Sequence, residues 1–235
     1  MNLILLSEDD FIGQNCVRLE GRRLKHLIEV RRSAVGDTLS VGLLNGLIGK
    51  GTVTTLTPDA ITLDLHLDQK PPAPLPATLI LALPRPKVLK RVIIAATSMG
   101  VKRIFLINAF RVEKSFWTSP LLSQERIDEF LSLGLEQAKD TTMPEVQLRP
   151  LFKPFAEDEL PAIIKDSLAL VAHPAAQHPC PSLLNQAVTV TIGPEGGFIP
   201  YEIEQLISHG FKPVSLGQRI LRVETVVPAL LSKLF

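Results

Sequence analysis

The chain has 235 residues, 46% of them hydrophobic, enough for one large domain or two smaller ones with separate cores. With 25 Lys and Arg against 24 Asp and Glu the net charge is only +1, so a signal for a polyanionic partner has to come from local clustering. The cysteines Cys16 and Cys180 lie far apart, the start of the chain turns acidic, and no run approaches the roughly 20 apolar residues that span a bilayer; a disulfide framework, a Cys-rich metal site and a membrane partner are therefore excluded, and a cytoplasmic protein is expected.

The first predicted element is a helix over 21–30, which brings Arg22, Arg23, Lys25, Arg31 and Arg32 close together in sequence. Short strands follow at 38–41, 51–56 and 60–67, separated by the turn signals Gly36-Asp37, Asn45-Gly46 and Pro58-Asp59, a pattern that fits a small β-barrel. The segment from Lys70 to Pro76 carries four prolines in seven residues and forbids helix or central strand, which sets residues 71–76 as a linker between domains at 1–70 and 77–235.

After this seam, buried apolar runs alternate with helical patterns, the signature of an α/β domain with a largely parallel sheet. Strands are predicted at 78–83, 103–107, 167–172, 187–192 and 212–216, and helices at 87–99, 120–138, 200–209 and 223–233. Gly100 stands where the first of these helices needs a C′ residue.

Three features point to chemistry. Ile192-Gly-Pro-Glu-Gly-Gly-Phe198 follows a buried strand and opens a helix; its three glycines let backbone amides approach a ligand at the carboxyl end of the sheet, where open α/β folds bind. A tight turn alone needs fewer glycines, and neither a dinucleotide fingerprint nor a phosphate loop is present. Leu216-Gly-Gln-Arg-Ile-Leu-Arg-Val-Glu-Thr225 sits in the same position after the next strand, with helix capping and solvated arginines as the plain alternative. The span from Pro84 to Val112 holds seven Lys or Arg and no acid, and Lys87, Lys90 and Arg91 share one helix face suited to tracking phosphates, although a solvated basic face is the usual outcome. His66, His173, His178 and His209 have no ligand spacing, so no metal is expected, and Phe116 and Trp117 read as core.

The pair Gly193-Pro-Glu-Gly-Gly-Phe198 and Leu216-Gly-x-Arg-Ile-Leu-Arg222, with Glu224-Thr225 behind it, resembles the signature of the 16S ribosomal RNA uridine-N3 methyltransferases, a family of the knotted SPOUT class. Supporting matches are Arg23, His26 and Leu27, the Asn45-Gly46 turn, Thr97-Ser-Met-Gly-Val101 and Glu136-Gln137. The resemblance implies a PUA-like RNA-binding β-barrel followed by an α/β domain with a deep trefoil knot, a feature that packing rules alone would exclude. It implies S-adenosylmethionine as cofactor, a homodimer, and 16S rRNA or the small ribosomal subunit as partner. The cofactor would be held by Ala172 and His173 after one strand, by Gly193, Pro194, Gly196 and Gly197 after the next, and by Leu216, Gly217, Ile220 and Leu221 after the last.

Uridine N3 keeps its proton near neutral pH, so methylation there needs a proton acceptor or a group that stabilises the anion. Arg222 is the candidate for holding the uridylate or a neighbouring phosphate, and Glu195 and Glu224 are the candidate acceptors, with loop bracing and helix capping as their structural alternatives. Arg22, Arg23, Arg31, Arg32, Lys87, Lys90 and Arg91 are the expected RNA contacts, and the target base must be unpaired or flipped. Where relatives often read Ser-Glu-Arg-Ser, this chain has Asn108-Ala-Phe-Arg111 and then Ser115; Val223 and Val226-Val227-Pro228 also depart from the family pattern. A knotted methyltransferase acting on ribose 2′-oxygen or transfer RNA, and a non-catalytic RNA-binding module, are the competing readings.

Overall fold

The computed structural model describes residues 2–235, so Met1, the first residue of the expected N-terminal domain, lies outside the described residues. The chain divides into two compact units, one of residues up to Ala73 together with Leu135–Met143, the other of Pro74–Gly134 and Pro144–Phe235.

The first unit is built on a six-stranded mixed sheet. Its strands are β1 (Ile4–Leu6), β2 (Phe11–Gly13), β3 (Cys16–Leu19), β4 (Thr38–Leu43), β5 (Ile48–Leu56) and β6 (Ile61–Gln69), in the order β1-β4-β5-β6-β3-β2. β1 runs parallel to β4 and the other pairs are antiparallel. Alternation along β5 and β6 turns Val53, Ile61, Leu63 and Leu65 inward, and the helix α1 (Gly21–Glu29) adds Leu24 and Leu27 to the same core. Each such leucine contributes about 1.5–3 kcal/mol on full burial.

Leu135–Met143 falls after the Pro-rich seam, yet it packs with this first unit. Leu135 joins Leu3, Leu5 and Ile48 in a second apolar cluster, which Leu44 and Met143 border. The Glu136 carbonyl accepts from the amides of Asn2 and Leu3, at 3.1 and 3.0 Å, and the Thr141 hydroxyl donates to the Gly46 carbonyl at 2.6 Å.

The second unit carries the parallel sheet. Its strands β7 (Ala77–Ala82), β8 (Arg103–Ile107), β9 (Glu145–Arg149), β10 (Leu168–Ala172), β11 (Val188–Ile192) and β12 (Lys212–Val214) lie in the order β12-β10-β11-β7-β8-β9, every pair parallel. The α/β expectation holds. The central strands read as apolar runs because both faces are covered, and Pro213 is tolerated because β12 is an edge. The helices that begin in this unit are α2 (Pro86–Ser98), α3 (Gln124–Ala138, whose last residues from Leu135 belong to the first unit), short turns α4 (Phe152–Pro154) and α5 (Leu160–Ile164), α6 (Pro200–Ser208) and α7 (Val223–Leu234). The helix expected from residue 120 instead begins at Gln124, because Ser123 is extended (φ −61°, ψ 147°) and separates it from a 3-10 turn at Pro120–Leu122. Among the described residues no helix is long and apolar enough to cross a membrane.

Candidate active site

In a parallel sheet all strand ends of one polarity lie on one edge, and ligands bind outside the carboxyl ends. That rule places the loops after Ala82, Ile107, Ala172, Ile192 and Val214 side by side, since β12, β10, β11, β7 and β8 are successive neighbours. Between these loops lies a cavity of about 790 Å³, within the size range of small-molecule sites.

All ten residues expected to hold a cofactor line this cavity, as do Arg222, Glu195 and Glu224. The wall also includes Arg85, Arg111, Ser215 and Arg219, to which the sequence assigns no role in the site. In the sequence Arg85 belongs to the basic span alone, and Arg111 to that span and to the departure from the Ser-Glu-Arg-Ser pattern. The signal that assigns them is position, just beyond the carboxyl ends of β7 and β8.

The glycine-rich loop is held from several sides. The Arg111 guanidinium donates to the Gly196 carbonyl, and a Cβ at Gly196 would lie 3.0 Å from the Arg111 Cδ. Gly197 has φ +71°, a conformation that side-chain-bearing residues rarely adopt. Behind the loop, Glu202 at the start of α6 is buried and accepts from the amides of Ile199 (2.9 Å) and Phe110 (2.7 Å). The third loop turns at Gly217 (φ +120°), with the Ser215 hydroxyl accepting from the Gly217 amide and donating to its carbonyl, both at 3.1 Å.

The candidate proton acceptors are not equivalent. Glu195 is exposed, and one oxygen accepts from the Arg85 amide at 3.0 Å, so the loop-bracing role is real. Glu224 lies in the first turn of α7, where the helix dipole favours an anion, and its carboxylate is 3.7 Å from the Arg91 guanidinium of α2. Arg222 occupies the N-cap position of α7 and is exposed.

The expected RNA contacts divide in two. Arg22 grips the Glu136 carboxylate through both terminal nitrogens (3.1 and 2.8 Å), and that carboxylate is only 3% exposed. Arg23 does the same to Asp10 (2.6 and 2.5 Å) and also donates to the Leu5 carbonyl. Both arginines thus brace the first unit, because a buried carboxylate demands a matching fork of donors. Burial pushes the Asp10 carboxyl up, but the hydrogen bonds from Arg23 and Ser7 and the Arg23 charge outweigh it and hold the group below its ordinary 3.8. Arg31, Arg32, Lys87, Lys90 and Arg91 are exposed, with Lys90 seated 5.3 Å from the Phe130 ring centroid. Among the described residues no group of three or more His, Cys, Asp or Glu is arranged to hold a metal ion.

The family model for the RNA methyltransferase domain matches residues 71–234. The chain belongs to the RNA methyltransferase family. All of the second unit but Phe235, its parallel sheet and cavity included, falls within that matched span. Similar curated members of this methyltransferase family are the ribosomal RNA small subunit methyltransferases E of Treponema pallidum and of Synechocystis. The first is 26% identical over 97% of this chain and 88% of that protein; the second is 27% identical over 93% and 72%. The fold matches a Neisseria gonorrhoeae ribosomal RNA small subunit methyltransferase E solved bound to S-adenosyl methionine. Its TM-score is 0.74 at 22% identity, and the match covers 98% of this chain and 95% of that one.

Proposed function

We propose that this protein is a cytoplasmic methyltransferase that uses S-adenosylmethionine to methylate uridine N3 in the 16S rRNA of the small ribosomal subunit. The observation that carries the reading is the cavity at the carboxyl edge of the parallel sheet, in which every glycine of the two signature loops meets the same space. The wall suits the cofactor. Gly197 and Gly217 leave open space where a side chain would stand, so backbone amides and carbonyls are free to meet adenine, ribose and methionine groups. Ala172, His173, Gly193, Pro194, Gly196, Gly197, Leu216, Gly217, Ile220 and Leu221 are the residues we assign to it. Bound there, the cofactor supplies an electrophilic methyl group on a sulfonium.

The chain's own residues then have three tasks. The loops exclude water and align the attacking nitrogen, which contributes by orientation. Arg222 holds the developing uridylate or the adjoining phosphate with its fork of donors. A carboxylate takes the N3 proton, and we assign this to Glu195, because Glu224 faces the Arg91 guanidinium.

We read the second unit as a trefoil-knotted SPOUT fold. In support, the amides of Leu183 and Leu184, in the long loop after β10, donate to the carbonyls of Lys233 and Leu234 at the end of α7, at 3.2 and 2.6 Å. We read the first unit as a PUA-like RNA-binding barrel, presenting Arg31 and Arg32, while Lys87, Lys90 and Arg91 of the second unit meet phosphates. The working species is a homodimer.

The test is incubation of the purified protein with methyl-labelled S-adenosylmethionine and either 16S rRNA or small subunits, followed by nucleoside mass analysis. N3-methyluridine is the expected product. A 2′-O-methylated nucleoside, or label in transfer RNA only, would replace the substrate, and cofactor-independent RNA binding without product would replace the reaction.

A further inference from the structure

Of the ten phenylalanines, nine are buried or half-buried; Phe110 is 78% exposed. An isolated exposed aromatic ring needs no explanation, but this one is held in place at both neighbours. Its own amide donates to the buried Glu202 carboxylate at 2.7 Å. The next residue, Arg111, lines the cavity and fastens the Gly196 carbonyl. Two residues earlier, the Asn108 side-chain oxygen accepts from the Trp117 indole at 3.0 Å. The turn after β8 therefore presents a ring to solvent on a backbone that is fixed, beside the loop where the methyl donor is assigned.

The surroundings decide what the ring meets. The stretch from Pro84 to Val112 that contains it has seven basic residues and no acid, and Arg85 and Arg111 of that stretch stand on the cavity wall. A second copy of this face would bring like charges together, whereas a polyanion with flat, stackable groups matches both the charge and the ring. Resting on the methyltransferase reading above, we infer that Phe110 is the stacking platform for an unpaired base of the RNA substrate, the target uridine or its immediate neighbour, and that Arg111 beside it ties that base's position to the cofactor loop. The turn thus couples two ligands: the ring orders the nucleotide, and the adjoining guanidinium orders the loop that aligns the methyl group.

Three variants test this, each compared with the wild-type protein on small-subunit RNA. Phe110→Ala and Phe110→Leu should each raise the KM for RNA roughly ten- to hundredfold, as loss of one base–aromatic stack does. Phe110→Trp should keep the wild-type value, and affinity for S-adenosylmethionine should stay unchanged in all three. Because Trp117 is the sole native tryptophan, added quenching of emission by RNA in Phe110→Trp, beyond that of the wild type, reports the stack directly. A leucine variant as active as wild type, or a tryptophan variant with no added quenching, overturns the proposal. So does a change of oligomeric state in Phe110→Ala, which would make the ring a protein contact. A wild-type protein that neither binds the cofactor nor methylates RNA would instead overturn the underlying methyltransferase reading.

Discussion

The arginines of the two units look alike in sequence and behave differently in space. Arg22 and Arg23 of the first unit each clasp a buried carboxylate, Glu136 and Asp10. Arg85, Arg111, Arg219 and Arg222 of the second unit stand exposed around a cavity whose wall holds only two carboxylates. The difference teaches that a basic residue close to others in sequence is withdrawn from the surface role its charge suggests wherever the fold buries an acid against it. That acid can sit anywhere in the chain: Glu136 is 114 residues from Arg22.

The contrast is broken hardest at Arg22. Arg22→Ala leaves the Glu136 carboxylate buried without its fork of donors, and stability in urea unfolding should fall by about 3 kcal/mol, while turnover of the remaining folded protein is unchanged. Unchanged stability with weakened RNA binding would move Arg22 to the ligand-facing class.

In the second unit the effects should appear in binding and turnover. Gly196→Val places a branched side chain against the Arg111 Cδ, 3.0 Å from the position of its Cβ. Overpacking of this kind costs about 1–3 kcal/mol. Calorimetric titration should show cofactor binding lost, with RNA binding kept; full cofactor affinity in the folded variant would remove the loop from the pocket. Arg222→Ala should lower kcat about tenfold or more, the value of a charge-assisted hydrogen bond of about 1.5–3 kcal/mol, with cofactor affinity kept. Loss of cofactor affinity instead would make Arg222 a cofactor contact.

The smallest effect is a pH dependence in the first unit. The Asp10 carboxyl is held below 3.8 when folded, so its ionised form stabilises the fold above that value, and the contribution is lost as pH falls through the folded value. Between pH 6 and about pH 3 the wild type should lose more stability than Asp10→Asn does. Parallel losses would show that the Arg23 pair carries no net stabilisation.

What was legible follows from the range of the interactions. The runs that became β7, β8, β10 and β11 announce themselves because strands covered on both faces are apolar throughout, and the loops at Gly197 and Gly217 because the backbone at those two positions calls for glycine. β9 (Glu145–Arg149) escaped because it is an edge strand whose residues, Glu-Val-Gln-Leu-Arg, are mostly polar, and β1 and β2 because three residues show no periodicity. The roles of Arg22 and Arg23 escaped for a different reason, since nothing near them in sequence marks Glu136 and Asp10 as their partners. Arg111 was visible as a charge; its hold on Gly196 depends on β8 and β11 flanking β7 in the sheet.

The return of Leu135–Met143 to the first unit has a consequence for biosynthesis. The N-terminal sheet is complete in sequence by Gln69, yet its second apolar cluster and the partner of Arg22 are not translated until after residue 134. At about 5–20 residues per second the nascent chain carries this half-finished unit for several seconds. The main core of the first unit can form on β1 to β6 alone, but its second cluster closes only after Pro74–Gly134 of the second unit has been made.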